Sequence, residues 1–447
     1  MNRNPVFFND VLPRVADILS VQILPPDIEP LVMRDIHGRV RIALDMPRSN
    51  NTDEIMTTLD QSLSALGVYS NGEGKNVLCR DDFFDPDSIF NSPEILQWVQ
   101  PNTDKTVRIL NRQITGQDWD LLEKFSAIKI PRLVFFGIKG GVGRSTALAI
   151  LAYKLANSGK KVLLIDLDLE SPGLSGLLLP PDHLADFGIV DWLVEDALGQ
   201  GDEVLRRMIS VSPLSEYTQG EIRIAAAMGI DDISYLEKLS RAYGDVNING
   251  KAEMFTQRIR RLVEKLEESE KPDAVLIDSR AGLHDLAAIS IVGLATTALL
   301  FATDTEQSWQ DYRLLFSHWQ SFPEIAATVR ERLAIVQALF PESNQSERVR
   351  HFLEESYKLF SETLYEEIPP SPVDQLPISL DFDKELFNYD IEIENAPHFP
   401  LRINWNNRFQ EFDPKLLGQG FFSEAEIEAG FGEFLSKAMQ FIEDGTL

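Results

Sequence analysis

Short apolar runs alternate with longer segments of helical periodicity through the middle and later part of the chain. The runs that have the length and composition of buried strands are 133–136, 161–168, 222–226, 274–278, 297–301 and 333–339. Between them lie helical patterns such as residues 253–268, which place apolar side chains on one stripe. This alternation is typical of an α/β fold, and it predicts a doubly wound, mostly parallel sheet within residues 131–447.

Residues 1–130 precede this alternation and predict a separate, small α+β domain of unknown role. Its predicted elements are a hairpin over 31–45, a helix over 52–66, a strand over 107–110 and a helix near 118–126. Pro131 marks the junction between the two domains. We find no catalytic constellation in this segment.

The last part of the chain, residues 401–447, predicts an irregular and acidic extension that closes with a helix over 423–441. Ser423 and Glu426 have the spacing of a capping box at the start of that helix. From Ser423 onward, six acidic side chains stand against one basic side chain, Lys437. Because anionic membranes repel an acidic amphipathic helix, we expect this helix to pack on the domain or on a protein partner.

The composition limits which binding partners and which cellular compartment the sequence predicts. The formal net charge is −28, and affinity for nucleic acid comes mainly from Lys and Arg, so a nucleic-acid partner is not expected. The basic helix positions 258–265 are interleaved with glutamates, which favours a solvated helix face. A single cysteine, Cys79, excludes a disulfide framework and a cysteine-built metal site. Residues 286–302 predict a core helix and strand rather than a membrane span, so we expect a soluble, cytoplasmic protein.

A glycine-rich segment connects the strand 133–136 to a helical pattern that begins near residue 146. It reads Gly-Ile-Lys-Gly-Gly-Val-Gly-Arg-Ser-Thr over residues 137–146. Glycines allow successive backbone N–H groups to converge on one anion, and the following helix directs its positive end to the same place. The segment therefore predicts a phosphate-binding loop.

This loop resembles the deviant Walker A loop, Lys-Gly-Gly-Val-Gly-Lys-Ser/Thr, of the MinD/ParA-like ATPases of the SIMIBI class. Residues 139–146 match that pattern except at Arg144, where the family has lysine. Residues 161–168 end in Asp166-Leu167-Asp168 and resemble the family's Asp-x-Asp switch. Residues 274–282 resemble its Walker B segment, with Arg280 in place of proline. The resemblance covers residues 131–340 well and 345–400 weakly.

The resemblance implies that the chain binds ATP and Mg²⁺ and forms a homodimer. The implied nucleotide-binding residues are Gly140, Gly141, Val142, Gly143, Arg144, Ser145 and Thr146. The implied metal site comprises Ser145, Asp166 and Asp278, and the implied catalytic residues are Lys139, Arg144 and Asp168. In this family the residue matching Lys139 reaches across the dimer interface to the second nucleotide, and the residue matching Asp168 orients the attacking water.

Arg144 leaves the functional reading open between two main hypotheses. Arginine keeps the positive charge of lysine but is larger, planar and forked, so hydrolysis is expected to be slow. The first hypothesis is an ATP-driven dimerisation switch acting on a protein partner, through the N-terminal domain or the acidic C-terminal region. The second is a catalytically weak ATP-binding scaffold or sensor subunit of a multi-protein system, such as a bacterial defence system.

Three further classes of protein use a related loop. A DNA-partition ATPase is disfavoured by the acidic composition. A bacterial tyrosine kinase carries a tyrosine-rich tail, whereas the last 80 residues here contain one tyrosine, Tyr389. A ligase would need a small-molecule pocket that the sequence does not reveal. The absence of an Asn/Thr-Lys-x-Asp segment favours ATP over GTP, and Gln337 stands near the place of the family's base-contacting asparagine.

Overall fold

The computed structural model describes residues 5–22, 24–26, 28–120, 129–230, 233–248, 251–341, 345–368, 386–409 and 413–445. The chain divides into two compact units. The first unit consists of Met1–Glu123 and Phe316–Thr328, and the second consists of Lys124–Leu315 and Val329–Leu447.

The first unit is an α+β structure built on a mixed sheet. Its helices and strands are α1 (Phe8–Ser20), β1 (Leu31–Arg34), β2 (Val40–Leu44), α2 (Asn50–Leu63), β3 (Val77–Cys79), α3 (Pro86–Phe90), β4 (Ile95–Val99) and β5 (Thr106–Asn111). The described strands have the order β3-β2-β1-β5-β4. The antiparallel pairing of β1 with β2 confirms the predicted hairpin. The predicted helix near 118–126 is described only as a short 3₁₀ helix, Gln117–Asp120, because residues 121–128 lie outside the described residues.

Residues 316–328 are held in the first unit by aromatic packing and backbone hydrogen bonding. The Trp119 and Trp319 rings have centroids 5.9 Å apart. The N–H of Val99 donates to the carbonyl oxygen of Ser321 over 2.9 Å. These partners lie some two hundred positions apart in the chain, so no local sequence pattern predicts their contact.

The second unit contains the predicted α/β sheet. Its helices and strands are β6 (Arg132–Phe136), α4 (Arg144–Asn157), β7 (Lys161–Leu167), α5 (Leu174–Leu178), α6 (Ile189–Asp196), α7 (Gly201–Leu205), β8 (Ile209–Val211), β9 (Glu221–Ala225), α8 (Tyr235–Ala242), β10 (Val246–Ile248), β11 (Lys251–Glu253), α9 (Phe255–Glu270), β12 (Ala274–Ser279), α10 (Asp285–Ala288), β13 (Thr297–Ala302), α11 (Glu306–Gln320), α12 (Pro323–Arg330), β14 (Leu333–Phe340), α13 (Gln345–Thr363), β15 (Leu401–Asn404), α14 (Lys415–Gly418) and α15 (Glu424–Asp444). The last turns of α11 and most of α12 carry the residues assigned to the first unit.

The main sheet has the order β15-β14-β13-β6-β12-β7-β9-β8 among the described residues. Its pairings are parallel, apart from the antiparallel pair β8–β9. The prediction of a doubly wound, mostly parallel sheet is therefore confirmed. Since β12 lies between β6 and β7, the residues that follow these three strands meet at one edge of the sheet.

The C-terminal residues belong to this fold, and the expectation of an irregular extension from residue 401 is wrong. Residues 401–404 form the edge strand β15, which pairs parallel with β14. This strand is too short for its periodicity to be recognised in the sequence. The predicted helix and its capping box are confirmed, since Ser423 Oγ accepts from the N–H of Glu426.

Helix α15 packs on the sheet of its own unit, and packing on the domain is one of the two arrangements expected for this helix. The ring of Phe434 lies 6.2 Å from those of Phe135 and Phe301, measured between centroids. Phe135 belongs to β6 and Phe301 to β13, so α15 covers the centre of the sheet on this face. No helix among the described residues is long and apolar enough to span a bilayer.

The expected solvated face of helix α9 is wrong for Arg258. This side chain is fully buried and donates to the carbonyl oxygens of Gly244, at 2.8 Å, and of Leu193. Arg261 is bound to the carboxylates of Asp196 and Glu253. Both arginines bind α9 to neighbouring segments, and the carbonyl partners of Arg258 could not be recognised in the sequence.

Candidate functional site

The glycine-rich loop lies between β6 and α4, as the sequence predicted. Gly141 and Gly143 have φ values of +74° and +80°, a left-handed conformation that suits glycine. Gly143 is the N-cap residue of α4. A Cβ atom at Gly140 or Gly141 would meet nothing within 4 Å, so the space in front of the loop is open. The loop can therefore admit an anion against its backbone.

Ser145 and Asp278 meet at the start of α4. The Ser145 hydroxyl donates to Asp278 Oδ2 over 2.7 Å. Asp278 pairs with Asp166 in the register of β12 and β7, which places both acids at the same level of the sheet. Asp166 Oδ1 accepts from the N–H of Asp168 over 3.2 Å. The structure thus brings together the predicted metal-binding residues Ser145, Asp166 and Asp278.

Two carboxylate oxygens of this cluster are buried without a hydrogen-bond partner among the described residues, namely Asp166 Oδ2 and Asp278 Oδ1. Burial raises the pKa of the Asp166 carboxyl well above its usual range. Burial also raises the pKa of Asp278 to about 6, against the opposing effects of the Arg144 charge and the Ser145 hydrogen bond. Unpaired buried carboxylate oxygens are costly, and a cation would satisfy them.

The oxygen atoms of Ser145, Asp166 and Asp278 fit Mg²⁺ better than a metal that is coordinated by protein side chains alone. Within the described ranges, no group of three or more His, Cys, Asp and Glu side chains could hold a metal ion. Mg²⁺ commonly uses one or two protein oxygens and completes its shell with water and substrate phosphates. Ser145 Oγ, Asp278 and Asp166 supply oxygens of this kind beside the open loop.

The Arg144 side chain extends from the loop to the end of β12. This buried side chain donates from Nη1 to the carbonyl oxygen of Ser279 over 2.6 Å. A Cβ atom at Gly137 would lie 3.3 Å from Arg144 Cδ, so the stem of the arginine packs over the start of the loop. Its charge lies close enough to Asp278 and Asp168 to oppose the rise in their pKa values.

Asp168 follows β7 and is partly buried. Burial raises the pKa of its carboxyl, while the positive charges of Arg144 and Arg280 oppose that rise. The structure therefore places the predicted water-orienting acid within the electrostatic reach of two arginines. The first of these belongs to the loop, and the second directly follows β12.

Arg280 links the ends of β12 and β7. Its guanidinium forms an ion pair with Glu170, and the Tyr243 hydroxyl donates to the same carboxylate. Tyr235 donates to the carbonyl oxygen of Leu169 over 2.6 Å. The sequence marked Arg280 only as a departure from proline, and it gave no indication of Glu170 or Tyr243 as its partners.

Lys139, which was also predicted to be a site residue, forms an ion pair with Asp311. Its Nζ lies 2.9 Å from Asp311 Oδ2 on α11. The lysine side chain is 45% exposed, and that of Asp311 is 23% exposed. The structure thus pairs this lysine within its own chain, a contact that the sequence analysis did not foresee.

A cavity of about 50 Å³ lies beside the loop. Its lining includes Val142, Gly143 and Thr146. It also includes Asn404, the last residue of β15, and the next two residues, Trp405 and Asn406. Gln337 instead lies buried in β14, and neither of its amide atoms has a hydrogen-bond partner in the part of the chain that the structure describes. Asn404–Asn406 could not be recognised as site residues from the sequence, because residues 401–447 were expected to form an irregular extension.

The sequence profile of the CobQ/CobB/MinD/ParA nucleotide binding domain matches residues 133–369, just over half of the chain. The chain therefore belongs to this family. Its second unit is a nucleotide-binding P-loop domain of the MinD/ParA-like ATPase type, as the sequence motifs predicted.

Solved structures that resemble the chain include three proteins of low sequence identity. A ParA family ATPase from Chlorobium tepidum TLS is 15% identical, with 68% of this chain and 98% of that protein covered at a TM-score of 0.43. The MinD cell division protein of Aquifex aeolicus is 16% identical, with 69% and 97% covered at a TM-score of 0.41. An ATP complex of McdA from Cyanothece is 16% identical, with 71% and 96% covered at 0.40. No curated protein sequence matches the chain.

Proposed function

We propose that this chain is a Mg²⁺-dependent ATPase with slow turnover, which acts as a nucleotide-dependent dimerisation switch on a protein partner. The observation that carries the proposal is the 2.7 Å contact between Ser145 and Asp278. It lies beside the unpartnered oxygens of Asp166 and Asp278, at the mouth of an open glycine loop.

The nucleotide would lie with its phosphates against residues 140–145. Backbone N–H groups of this segment hold the β-phosphate, and the Thr146 hydroxyl bonds to the α-phosphate. The base extends toward the cavity beside Thr146, where Asn404 and Asn406 offer hydrogen-bonding side chains and Trp405 offers an aromatic face. These contacts suit adenine, so ATP is the proposed nucleotide.

The metal site would use Ser145 and Asp278, with Asp166 supporting the shell through water. When bound, Mg²⁺ neutralises charge on the phosphate oxygens. Asp166 and Asp278 are both buried, so a bound cation would stabilise their charged forms. Binding of metal and binding of nucleotide are therefore expected to depend on each other.

Hydrolysis would depend on the placement of water and of positive charge. Asp168 orients the attacking water, and Lys139 of the second subunit supplies charge in the dimer. Arg144 is bonded to the Ser279 carbonyl, which holds its charge at the end of β12. Since a misplacement of about 1 Å can lower a rate roughly 100-fold, we expect slow turnover.

The same observation supports a second candidate, an ATP-binding scaffold with negligible hydrolysis. If the loop has been rebuilt around the bond from Arg144 to Ser279, ATP would organise an assembly without being consumed. A partner would then bind the first unit or the acidic surface of α15, where Glu424 is 72% exposed and Glu433 is 59% exposed.

Charge and geometry disfavour a DNA-partition function. The net charge is −28, and Arg258 and Arg261 of the basic helix are engaged within the fold. A chain of this net charge repels DNA on average instead of attracting it from a distance. We expect no shift of a DNA duplex at low salt, with or without ATP.

Three measurements on the purified chain test the proposal. Calorimetry should show ATP binding that weakens when Mg²⁺ is removed. Light scattering should show a doubled mass with Mg-ATP but not with ADP. Phosphate release should be slow and should fall further in Asp168→Ala. Dimerisation without phosphate release would favour the scaffold, and the absence of ATP binding would exclude both candidates.

A further inference from the structure

The segment that follows strand β12 lies against the start of the glycine-rich loop. The N–H of Gly282 donates to the carbonyl oxygen of Gly137 over 3.3 Å. A Cβ atom at Gly282 would lie 3.9 Å from the carbonyl oxygen of Ile138. Arg280 belongs to this segment and stands two residues after Asp278 of the expected metal site. The Arg280 side chain therefore starts beside both the loop and that site.

The Arg280 guanidinium has N–H donors that its partner does not use. The side chain is 29% exposed, and its Nη1 pairs with Glu170. In the part of the chain that the structure describes, no other carboxylate or carbonyl oxygen accepts a hydrogen bond from it. A guanidinium carries five N–H donors, so an anion in the site can still bind to it. Its charge also lowers the pKa of Asp168, which places it near the acid expected to orient the attacking water.

Glu170 and Tyr243 fix the position of this guanidinium. The Tyr243 hydroxyl donates to the same Glu170 carboxylate. The Tyr243 ring lies 4.9 Å from that of Phe255 and 5.9 Å from that of His284, measured between centroids. The buried Arg258 donates to the carbonyl oxygens of the residues before and after Tyr243, over 3.2 and 2.8 Å. The support of the Arg280 guanidinium is thus itself anchored on both sides.

The two cations of the loop are engaged elsewhere in this structure. Arg144 is 8% exposed and donates to the carbonyl oxygen of Ser279, and Lys139 pairs with Asp311. Phosphoryl transfer depends on positive charge at the oxygens of the γ-phosphate. Arg280 is a further cation beside the loop. It stands where the family has proline, which supplies neither charge nor an N–H donor.

We propose that Arg280 is a catalytic residue, whose guanidinium donates hydrogen bonds to an oxygen of the γ-phosphate while Glu170 and Tyr243 hold it in place. The inference rests on the proposed function, because it adds a residue to the hydrolysis of ATP. In that step the water oxygen bonds to the γ-phosphorus, and the bond from this phosphorus to the bridging oxygen of ADP breaks. The proton that water releases passes to the phosphate product. Arg280 stabilises the developing charge and neither gains nor loses a proton.

The test measures whether Arg280 acts more strongly on the transition state than on the ground state. Calorimetry compares wild type and Arg280→Ala in the presence of Mg²⁺, first with a slowly hydrolysed ATP analogue and then with ADP and aluminium fluoride, which mimics the transferring phosphoryl group. We expect Arg280→Ala to bind the ATP analogue within about threefold of wild type, and ADP with aluminium fluoride roughly 100-fold more weakly. Single-turnover phosphate release, taken at the pH of its maximal rate, should fall by the same factor.

Two controls separate contact with the phosphate from the loss of any paired arginine. Arg223 has the same exposed fraction, 29%, and also pairs with a glutamate, Glu270, but it lies on β9 and outside the loop. Arg223→Ala should match wild type in both binding measurements and in rate. Free guanidinium ion should partly restore phosphate release by Arg280→Ala and leave that by Arg223→Ala unchanged. If Arg280→Ala unfolds, as judged by circular dichroism, Arg280→Gln should show the same loss of affinity and rate.

The outcomes separate the role of Arg280 from the proposed function. If wild type and Arg280→Ala hydrolyse ATP at equal rates and bind ADP with aluminium fluoride equally, the role is overturned and the ATPase stands. An equal loss of affinity for both ligands also overturns it, because Arg280 would then bind nucleotide without favouring the transition state.

A further result would assign Arg280 to positioning its neighbours instead. This is a lower rate that free guanidinium does not restore, together with unchanged affinity for ADP and aluminium fluoride. If wild type binds the ATP analogue but neither releases phosphate nor binds ADP with aluminium fluoride, hydrolysis and the role of Arg280 fail together, and the scaffold candidate is favoured.

Discussion

Arg144 Nη1 lies 2.6 Å from the carbonyl oxygen of Ser279, so the variant residue of the loop is bonded to the end of strand β12. Ser279 directly follows Asp278, the acid that contacts Ser145. The arginine thus ties the loop to the segment expected to hold the metal. Lysine has a single ammonium group in place of the forked guanidinium and would be freer to turn toward a phosphate.

Replacing Arg144 with lysine is expected to raise the rate of ATP hydrolysis. Both side chains carry one positive charge at neutral pH, so the change acts through shape and position. If the charge moves by about 1 Å toward the reacting phosphate, the gain could reach roughly 100-fold. Phosphate release under single-turnover conditions measures the effect, and Asp168→Ala in the same background should lower the rate again.

The matched control for this change is Arg332→Lys. Arg332 also donates to a carbonyl oxygen, that of Ala295 at 2.9 Å, but it lies outside the loop. Its replacement should leave hydrolysis unchanged. If Arg144→Lys leaves the rate of ATP hydrolysis unchanged or abolishes nucleotide binding, the conformation of the loop depends on arginine. The scaffold function is then the better description of the protein.

Asp278→Asn is expected to stabilise the nucleotide-free protein while weakening Mg²⁺-dependent binding. The folded-state pKa of Asp278 is about 6, above its usual value of 3.8. Between these two values the folded chain binds the proton more tightly than the unfolded chain, so its stability falls as pH rises through that window. At one pKa unit per 1.36 kcal/mol, the neutral amide should recover on the order of 2–3 kcal/mol at pH 7.

Two measurements check this prediction. Thermal unfolding without nucleotide should occur at a higher temperature for Asp278→Asn than for wild type at pH 7, and the difference should vanish near pH 4. Calorimetry with Mg-ATP should show weaker binding for the variant at pH 7. A lower unfolding temperature for Asp278→Asn at pH 7 would contradict the raised pKa.

Gly143→Val is expected to abolish nucleotide binding. Gly143 has a φ of +80°, which a β-branched residue adopts only with strain, and its new side chain would also approach Leu339. Gly199→Val is a matched control, because Gly199 has the same φ of +80° and open space around it. Calorimetry should detect Mg-ATP binding to Gly199→Val but not to Gly143→Val. If the two variants bind Mg-ATP with equal affinity, the loop is not part of the nucleotide-binding site.

Arg280 and Glu170 are expected to shift the pH dependence of hydrolysis in opposite directions. The Arg280 charge lowers the pKa of Asp168, whereas the Glu170 charge raises it. Arg280→Gln should therefore move the acidic limb of the pH–rate profile to higher pH, and Glu170→Gln should move it to lower pH. Shifts in the same direction would mean that Asp168 does not titrate in this limb.

The motifs predicted the parts of the site that depend on local order. The strand, loop and helix around residues 132–157 follow from apolar runs, glycines and a helix pattern, and the parallel sheet then brings Asp166 and Asp278 together. The sequence could not show which side chains and backbone groups become hydrogen-bond partners through tertiary packing. Arg258 carries the same charge as Arg260 and Arg261 on α9, and its burial depends on carbonyl oxygens and on the Asp196 carboxylate of distant segments.

Asp311 illustrates the same limit within the site. It lies 172 positions after Lys139 on a helix of mixed polarity, and nothing in its own surroundings marks it as the partner of a loop residue. Likewise, β15 is a four-residue strand whose identity depends on its pairing with β14. Local patterns predict elements, whereas contacts between remote elements depend on the whole fold.

The position of Phe434 against Phe135 and Phe301 has a consequence for the synthesis of this protein. The ribosome delivers the strands β6 and β13 long before helix α15 that covers them. At about 5–20 residues per second, the interval between the synthesis of Ala302 and that of Asp444, where α15 ends, is roughly 7–30 s. During that time one apolar face of the nascent sheet lacks its cover, so the growing chain is expected to engage a ribosome-associated chaperone until α15 has been synthesised.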